Sequence, residues 1–560
     1  MYEEPYESSD SLPRADGKDQ QIDEEHMRLG GYPPFQTICR LTIGPLLSQV
    51  IQSLYGLMNS FWISRTIGEK GMTVMSIIVV VDFINTAFAQ YFNVCMSARI
   101  SFLFGRGIEE HAPQVVVDLH RFCFIVGILV PAILLPLSKP LMVWYGANDE
   151  IERMGFEYLL PQLCCSFVNF SYLSLCGLLQ AMGHSLLFGI CQITSAILNM
   201  AVFDPLFLVG LKTGMWGAST ATVLANLLPA LFIYIRVFCG KFNVKPKFHM
   251  YFRKFDRHSF SAMRVSLSQL ISNLAASIPV LLLAKYVAQS GAAIGKYEVY
   301  MAAWNVNDRL YAFTICVCNA LNQGFLPAAS FAYGCNRLNR LLRLGLYALL
   351  LGSCWSVLCC IVIQVFTKHI SGIWGNDPEY LKASVKMLRI GYFTCFLNQG
   401  AYTITACLQA MKMVVISVLT SVFTYLIPLP VFSSILYFTD KKNPERLMYA
   451  YVCNNIWSFL VVMVIAFVKL RFLFKSKPSG SGVLNDTDKT KIDDPEETNT
   501  EKLKETQRLT ISSSTANSSE VVEKNDSPSE ASSSSLSESS STSKSKSESE
   551  SEAKSTIEEV

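Results

Sequence analysis

The tetrapeptide Leu179-Gln180-Ala181-Met182 decides the architecture, because it returns as Leu408-Gln409-Ala410-Met411, 229 residues later (408 − 179). Two glycine pairs repeat at the same offset, Gly105 with Gly334 and Gly146 with Gly375. Three echoes at one offset indicate a duplicated chain. The period is far too long for a solenoid, so the sequence predicts two related halves of one body.

The composition is that of a chain that crosses a membrane many times. Of the 560 residues, 51% are hydrophobic and 16% are charged, with a mean hydropathy of +0.31; soluble chains carry ~25% charge. The polar residues gather at the two ends: residues 1–34 hold nine acidic residues and residues 476–560 hold eighteen. We therefore expect an all-α polytopic membrane protein whose partner is the lipid bilayer, with no nucleic-acid partner and no cleaved signal peptide.

Twelve membrane spans are predicted from apolar stretches of ~20 residues. The first six lie at roughly 40–63, 72–98, 121–143, 156–180, 186–210 and 216–239, and the second six at roughly 264–288, 298–324, 342–366, 384–408, 413–437 and 446–470. An even number of spans gives both halves the same orientation, so the repeat is predicted to be parallel.

Five segments follow from these spans. They are a polar N-terminal tail (1–34), an N-lobe of six helices (35–239), a basic linker (240–263), a C-lobe of six helices (264–475) and a Ser/Glu/Lys-rich tail (476–560). The last is expected to be disordered, because it has too few apolar residues to offset its ordering entropy.

Lys and Arg in short loops predict the orientation of the protein. The linker and the residues after the last span are basic, which places them and both termini in the cytosol. Lys441, Lys442 and Arg446 are an exception on the other side. The plasma membrane is expected, and a vacuolar or other endomembrane location stays open as the alternative, since no sorting motif is evident at Glu558-Glu559-Val560.

A series of short motifs resembles a known family. They are Gly44-Pro45, Phe104-Gly105-Arg106-Gly107, Leu179-Gln180-Ala181-Met182-Gly183, Asp204-Pro205-Leu206-Phe207, Met215-Trp216-Gly217-Ala218-Ser219-Thr220-Ala221-Thr222 and Gln323-Gly324-Phe325-Leu326-Pro327-Ala328-Ala329-Ser330. Over residues 35–475 the chain resembles the multidrug and toxic compound extrusion (MATE) transporters, and most closely their DinF-type branch.

The resemblance implies two six-helix lobes around a central cavity. It also implies export of bulky, often cationic, organic molecules by alternating access. The coupling ion would be H+ or Na+, with no bound cofactor and no enzymatic activity. The chain is expected to act as a monomer.

An acidic residue deep in a bilayer indicates a functional or structural role, because its insertion costs ~2.5–3.5 kcal/mol even on the mildest insertion scale. Asp82 in span two and Asp204 in span five are the candidates for cation or proton coupling in the first half. Pro205 removes a backbone donor beside Asp204, which frees a carbonyl in the preceding turn. The sequence therefore favours a cation or proton site there, although Asp204 as a helix cap and Asp82 as a structural contact stay open.

Two further positions follow from the resemblance. In the DinF-type branch an Asn-x3-Asp pair in span five lines the coupling site; Asp204 matches the Asp, and Asn199 lies one residue too far away. At 100° per residue, Asn199 and Asp204 are not expected on one helix face. Asn59 stands where the branch has an Asp in span one, and an amide can ligate a cation but cannot carry a proton.

Span eight supplies the candidates for the substrate cavity. Asp308 lies near the midplane, and Asn305 and Arg309 lie within one turn of it. A structural network and contact with a cationic substrate are both open for Asp308. Trp304 is predicted to be an aromatic residue that faces the cavity.

Other classes of protein fit less well. A lipid-linked oligosaccharide flippase of the same superfamily remains an alternative, but it would want several basic residues in the cavity to hold pyrophosphate. A membrane-embedded enzyme would need clustered His, Asp or Cys, and the seven histidines are scattered without metal spacing. The 17 cysteines lie mainly in apolar runs, where a thiol behaves as a small hydrophobe.

Overall fold

A computed structural model describes residues 25–144, 148–373, 375 and 377–475. Within these residues the regular secondary structure is entirely helical. The sequence predictions for residues 1–24 and for the tail 476–560 lie outside the described residues, and so does Gly146 of the repeated glycine pairs.

Twelve helical spans, α1 to α12, follow one another in the described part of the chain. The first half contains α1 (Pro34–Thr66), α2 (Glu69–Arg106), α3 (Ala112–Trp144), α4 (Asp149–Cys164 and Ser166–Ala181), α5 (Ser185–Gly210) and α6 (Gly214–Phe238). The second half contains α7 (Arg257–Ala293), α8 (Tyr297–Gly334), α9 (Leu338–Gly372), α10 (Pro378–Tyr392 and Asn398–Ala410), α11 (Val414–Thr439) and α12 (Tyr449–Lys475). The predicted all-α fold of twelve spans is confirmed.

The same irregularity recurs in both halves. Helix α4 bends by 50° at its break near Cys165. Helix α10 is interrupted by a 3₁₀ turn, Cys395–Leu397, at the equivalent place. Shared breaks at the repeat offset are expected of a parallel duplication.

Hydropathy distinguishes the spans. Among the described residues, seven helices are long and apolar enough to cross a membrane, or nine if the bent α2 and α4 each count once. Helices α1 and α8 fall short because they carry more polar residues, and α10 falls short because the 3₁₀ turn divides it into two short pieces. A span of this kind is stable in a bilayer when protein or a water-filled cavity covers its polar face.

The repeated glycines bring the two halves together. A Cβ on Gly105 would lie 2.3 Å from the carbonyl oxygen of Phe331, and a Cβ on Gly334 would lie 2.6 Å from the carbonyl oxygen of Phe102. Helices α2 and α8 thus cross backbone against backbone at the end of the bundle that carries the linker, which we call the linker face. Only glycine permits so close an approach.

The residues before α1 reinforce this contact. A π-helical turn, Met27–Gly31, buries Leu29. The His26 ring packs edge-on against Phe331 of α8 at 5.4 Å, and Arg340 donates to the carbonyl oxygen of Tyr32 at 2.9 Å. Residues 25–33 were predicted to belong to a polar tail, but the structure packs them between the halves.

The opposite ends of α2 and α8 are more exposed than the ends at the linker face. Residues 91–104 of α2 and 324–332 of α8 are buried on all sides near the linker face. Towards the other end both helices expose polar side chains: Thr73, Ser76 and Thr86 on α2, and Asn305, Asp308 and Arg309 on α8. Because polar groups are costly in hydrocarbon, this pattern indicates a wet cleft between the halves that opens away from the linker face.

Candidate functional site

Helix α5 changes its winding at the candidate coupling residues. Leu198–Phe203 and Pro205–Gly210 are π-helical, and the Asp204 N–H bonds to the carbonyl oxygen of Asn199, five residues earlier. A π-turn adds one residue to each turn, so positions i and i+5 align. The prediction that Asn199 and Asp204 lie off one face assumed α-helical winding, and it is wrong for this reason.

The two side chains make direct contact in a closed hydrogen-bond group. With its amide nitrogen towards Asp204, Asn199 donates to both carboxylate oxygens, at 2.8 and 2.9 Å. Its carbonyl oxygen then accepts from the hydroxyls of Thr222 and Tyr55, at 3.0 and 3.2 Å. Those two hydroxyls lie 3.0 Å apart. Helices α1, α5 and α6 therefore meet at one amide.

Pro205 also has a visible effect. In a π-turn the N–H of residue 205 would bond to the carbonyl of Met200, but proline has no N–H. The Met200 carbonyl oxygen instead accepts from the indole N–H of Trp62 on α1, at 3.1 Å. The freed carbonyl expected from the Asp-Pro sequence thus joins α1 to α5, three residues beyond Asn59.

Asp82 and Asn59 belong to the same region of the first half. Gln162 of α4 donates to the Asp82 carboxylate. Tyr158, also on α4, interacts with the amide of Asn59 and lies within electrostatic range of Asp82 and Asp204. The Asn59 side-chain oxygen is buried without a hydrogen-bond partner. The structure therefore gathers all four proposed coupling residues in the N-lobe.

The chemistry of this group is that of a site for a small cation or a proton. Asp204 is completely buried and Asn199 is 2% exposed. Among the described residues, no Lys, Arg or His forms an ion pair with Asp204 or Asp82. A buried carboxylate without a cationic partner is unfavourable unless it is protonated or binds a cation.

Sequence reasoning missed Tyr55 and Thr222. Tyr55 precedes Asn59 by four residues, one helical turn, so the helical period places both on the same face. Thr222 ends the motif that opens α6 and was part of the family resemblance. Their contact with Asn199 could not be read from the sequence, because it depends on how α1, α5 and α6 pack.

The candidates in the second half separate into two environments. Asn305, Asp308 and Arg309 are exposed along one side of α8, at the open end of the cleft. Trp304 is 4% exposed and stacks on Tyr451 of α12, with ring centroids 6.2 Å apart. The prediction that Trp304 faces the cavity is wrong, because its ring points into the apolar core of the C-lobe.

Two of the scattered histidines meet at the linker face. Nδ1 of His111 donates to the Asp256 carboxylate at 2.9 Å, and His258 lies beside them, so the three groups have the spacing of metal ligands. The guanidinium of Arg99 contacts Nδ1 of His258. Through these contacts the group links Arg99 of α2 to Asp256 and His258 at the start of α7.

Twelve spans in two like-oriented halves, a cleft between them and buried acids in one half are typical of a membrane transporter. The profile of the MatE family matches residues 46–205 and 266–432, more than half of the chain. The chain therefore belongs to the MatE family of multidrug efflux transporters. A relative, the multidrug export protein MepA of Staphylococcus haemolyticus (strain JCSC1435), is 19% identical over 386 residues, which cover 67% of this chain and 81% of MepA.

Solved structures share the fold. One is the outward-facing conformation of a multidrug resistance MATE family transporter of the MOP superfamily, with a TM-score of 0.73 and 20% identity over 83% of this chain and 100% of that chain. A second is a MOP superfamily transporter from Pyrococcus furiosus Vc1 (DSM3638), with a TM-score of 0.74 and 21% identity over 81% of this chain and 99% of that one.

Proposed function

We propose that the protein is an antiporter that exports organic, mainly cationic, compounds in exchange for H+ or Na+. The observation that carries the proposal is the Asn199–Asp204 pair, a buried acid held by an amide with no basic partner among the described residues. Such an acid is best satisfied by a proton or a small cation. Its place in the N-lobe, next to the cleft, lets an ion bound there influence the closing of the cleft.

Exchange of the coupling ion for the substrate takes place at the open end of the cleft. In the described conformation the linker face is closed, and the polar residues of α8 face the open end. A proton or cation that enters from the open side neutralises Asp204 and removes one charge from the N-lobe. A cationic substrate leaves past Asp308, which is exposed in the cleft. Neutralising Asp204 lowers the cost of enclosing the N-lobe site when the open end closes.

The orientation and branch are part of the proposal. Lys and Arg of the linker favour a cytosolic linker face, so the open end faces outward from the cytosol, across the plasma membrane. The direct contact between Asn199 and Asp204 supports the DinF-type branch. The π-turn brings the two side chains onto one face of α5, although they are one residue further apart than the Asn-x3-Asp pair of that branch. Both halves of the exchange unit lie in one chain, which favours a functional monomer.

The decisive experiment uses purified full-length protein in proteoliposomes. A pH gradient and a Na+ gradient are imposed separately while efflux of a fluorescent organic cation is followed. Wild type is expected to respond to one of them, and Asp204→Asn is expected to lose that response. An Asp204→Asn transporter that keeps the full gradient dependence would refute the coupling assignment.

Asp308→Asn is the matched control, because it removes an acid of the other half. It is expected to keep the gradient dependence and to raise the KM for cationic substrates only. A pair of substrates that differ in charge but not in shape measures this. Equal KM changes for neutral and cationic substrates would remove Asp308 from the substrate path.

A further inference from the structure

The linker between the lobes presents two aromatic rings and six cations to its surroundings. Phe248 and Phe252, in the 3₁₀ turn Phe248–Phe252, are 71% and 86% exposed. All the basic residues of residues 239–257 are exposed: Lys241, Lys245, Lys247, Arg253, Lys254 and Arg257. The single acid of this stretch, Asp256, is already engaged by His111 and by the amide of His258. The linker therefore carries a large positive charge around exposed rings.

The turn is held in place rather than hanging free. Arg121 of α3 donates to the carbonyl oxygens of Tyr251 and Arg253, at 2.9 and 2.8 Å. Gln114 donates to the carbonyl of Met250, and the hydroxyls of Tyr251 and Tyr234 lie 3.3 Å apart. The backbone faces the protein, so the rings of Phe248 and Phe252 remain on the outside. This arrangement presents a preorganised surface.

The exposed rings continue the apolar surface of the neighbouring helices. Phe232 and Ile235 of α6 are 46% and 59% exposed just before the linker, and Phe260 in the first turn of α7 is 58% exposed. The hydrocarbon boundary therefore runs close to the turn. Aromatic rings at that depth, next to Lys and Arg, have the composition of a segment that lies in a membrane interface.

We infer that the linker binds anionic phospholipid headgroups of the leaflet at the linker face, with Phe248 and Phe252 inserted between them. Charge complementarity selects anionic over neutral lipid, because within the described residues no ion pair engages any of the six cations. The aromatic rings distinguish a bilayer from a free phosphate, since only a bilayer supplies an apolar phase for them. The inference concerns lipid recognition and does not depend on which ion drives transport.

Two classes of variant separate the two contributions. Each basic residue near an anionic surface adds about 1 kcal/mol, roughly a fivefold change in association, so Lys245→Gln/Lys247→Gln should weaken phosphatidylserine binding by about 25-fold. Phe248→Ser/Phe252→Ser should weaken the part of binding that persists at high salt, where charge is screened. Native mass spectrometry of the full chain, titrated with phosphatidylserine or phosphatidylcholine, measures both.

One control variant keeps the charge of the linker, and the other removes two lysines from the opposite face of the protein. Lys245→Arg/Lys247→Arg keeps the charge and should bind like wild type. Lys441→Gln/Lys442→Gln removes two exposed lysines beside Phe438 at the opposite face, away from the linker, and should change binding by less than about fivefold. Melting temperatures of all variants check that each is folded. Phosphatidylserine binding that survives in Lys245→Gln/Lys247→Gln, or equal competition by inorganic phosphate, would overturn the inference.

Discussion

Gly105→Ala tests whether the backbone crossing of α2 and α8 holds the linker face closed. The new Cβ would lie 2.3 Å from the carbonyl oxygen of Phe331, whereas real Cβ atoms essentially never approach closer than 3.0 Å. The atom in the way belongs to the backbone and cannot rotate aside. The two helices must therefore separate by several tenths of an ångström at least.

The magnitude follows from the cost of overpacking. Extra methyl groups in a well-packed interior cost about 1–3 kcal/mol, and that cost applies only to the conformation in which α2 and α8 touch. The gain in helix propensity from Gly to Ala is common to all conformations and cancels. The population should shift away from the closed linker face by about 5–150-fold.

Hydrogen–deuterium exchange of the full chain in nanodiscs reads this shift. Exchange should rise in residues 99–107 and 325–335 and fall in residues 297–313, because the cleft closes at its other end when the linker face opens. Gly400→Ala is the control, since a Cβ on Gly400 would lie 3.8 Å from the nearest atom outside its own helical turn, an ordinary van der Waals distance. A uniform rise in exchange would mean general destabilisation, and unchanged exchange would refute the role of the crossing.

Three further outcomes are expected. Trp304→Ala should lower stability by about 3–5 kcal/mol in thermal unfolding while the substrate KM stays unchanged, and a selective KM change would return Trp304 to the cavity. Asp118→Ala should lower stability by about 3–5 kcal/mol, because completely buried Asp118 pairs with Arg121 and also accepts from the Asp256 amide at 2.7 Å. Glu150→Gln, which breaks the exposed pair with Lys70, should change stability by less than about 1 kcal/mol. Equal effects of the two substitutions would refute this. Burial tends to raise the pKa of Asp256, but hydrogen bonds from the His258 amide and His111 outweigh it and lower that pKa. The Asp256 contact should therefore persist above an ordinary Asp pKa of about 3.9 and be lost as pH falls through the lowered pKa. Limited proteolysis of the linker over a pH series measures this loss. Linker cleavage that rises between pH 7 and pH 5 would contradict the expectation.

The sequence by itself determined the architecture. Span length follows from bilayer thickness, and an even number of spans per repeat forces the two halves to share an orientation. The three echoes at one offset, together with the twelve apolar stretches, therefore predict two like-oriented halves of six spans. The acids of the spans were visible in the same way, because Asp82, Asp204 and Asp308 interrupt apolar runs.

Only the tertiary structure decided which of these residues meet. A change of winding in α5 turned the spacing of Asn199 and Asp204 from unfavourable to favourable, and side-chain identity alone does not reveal where a helix takes up an extra residue. Trp304 could be assigned to the core rather than the cleft only once Tyr451 of α12 was placed against it. Helix period gives the face on which a side chain lies, but the neighbour on that face is set by packing between segments far apart in the chain.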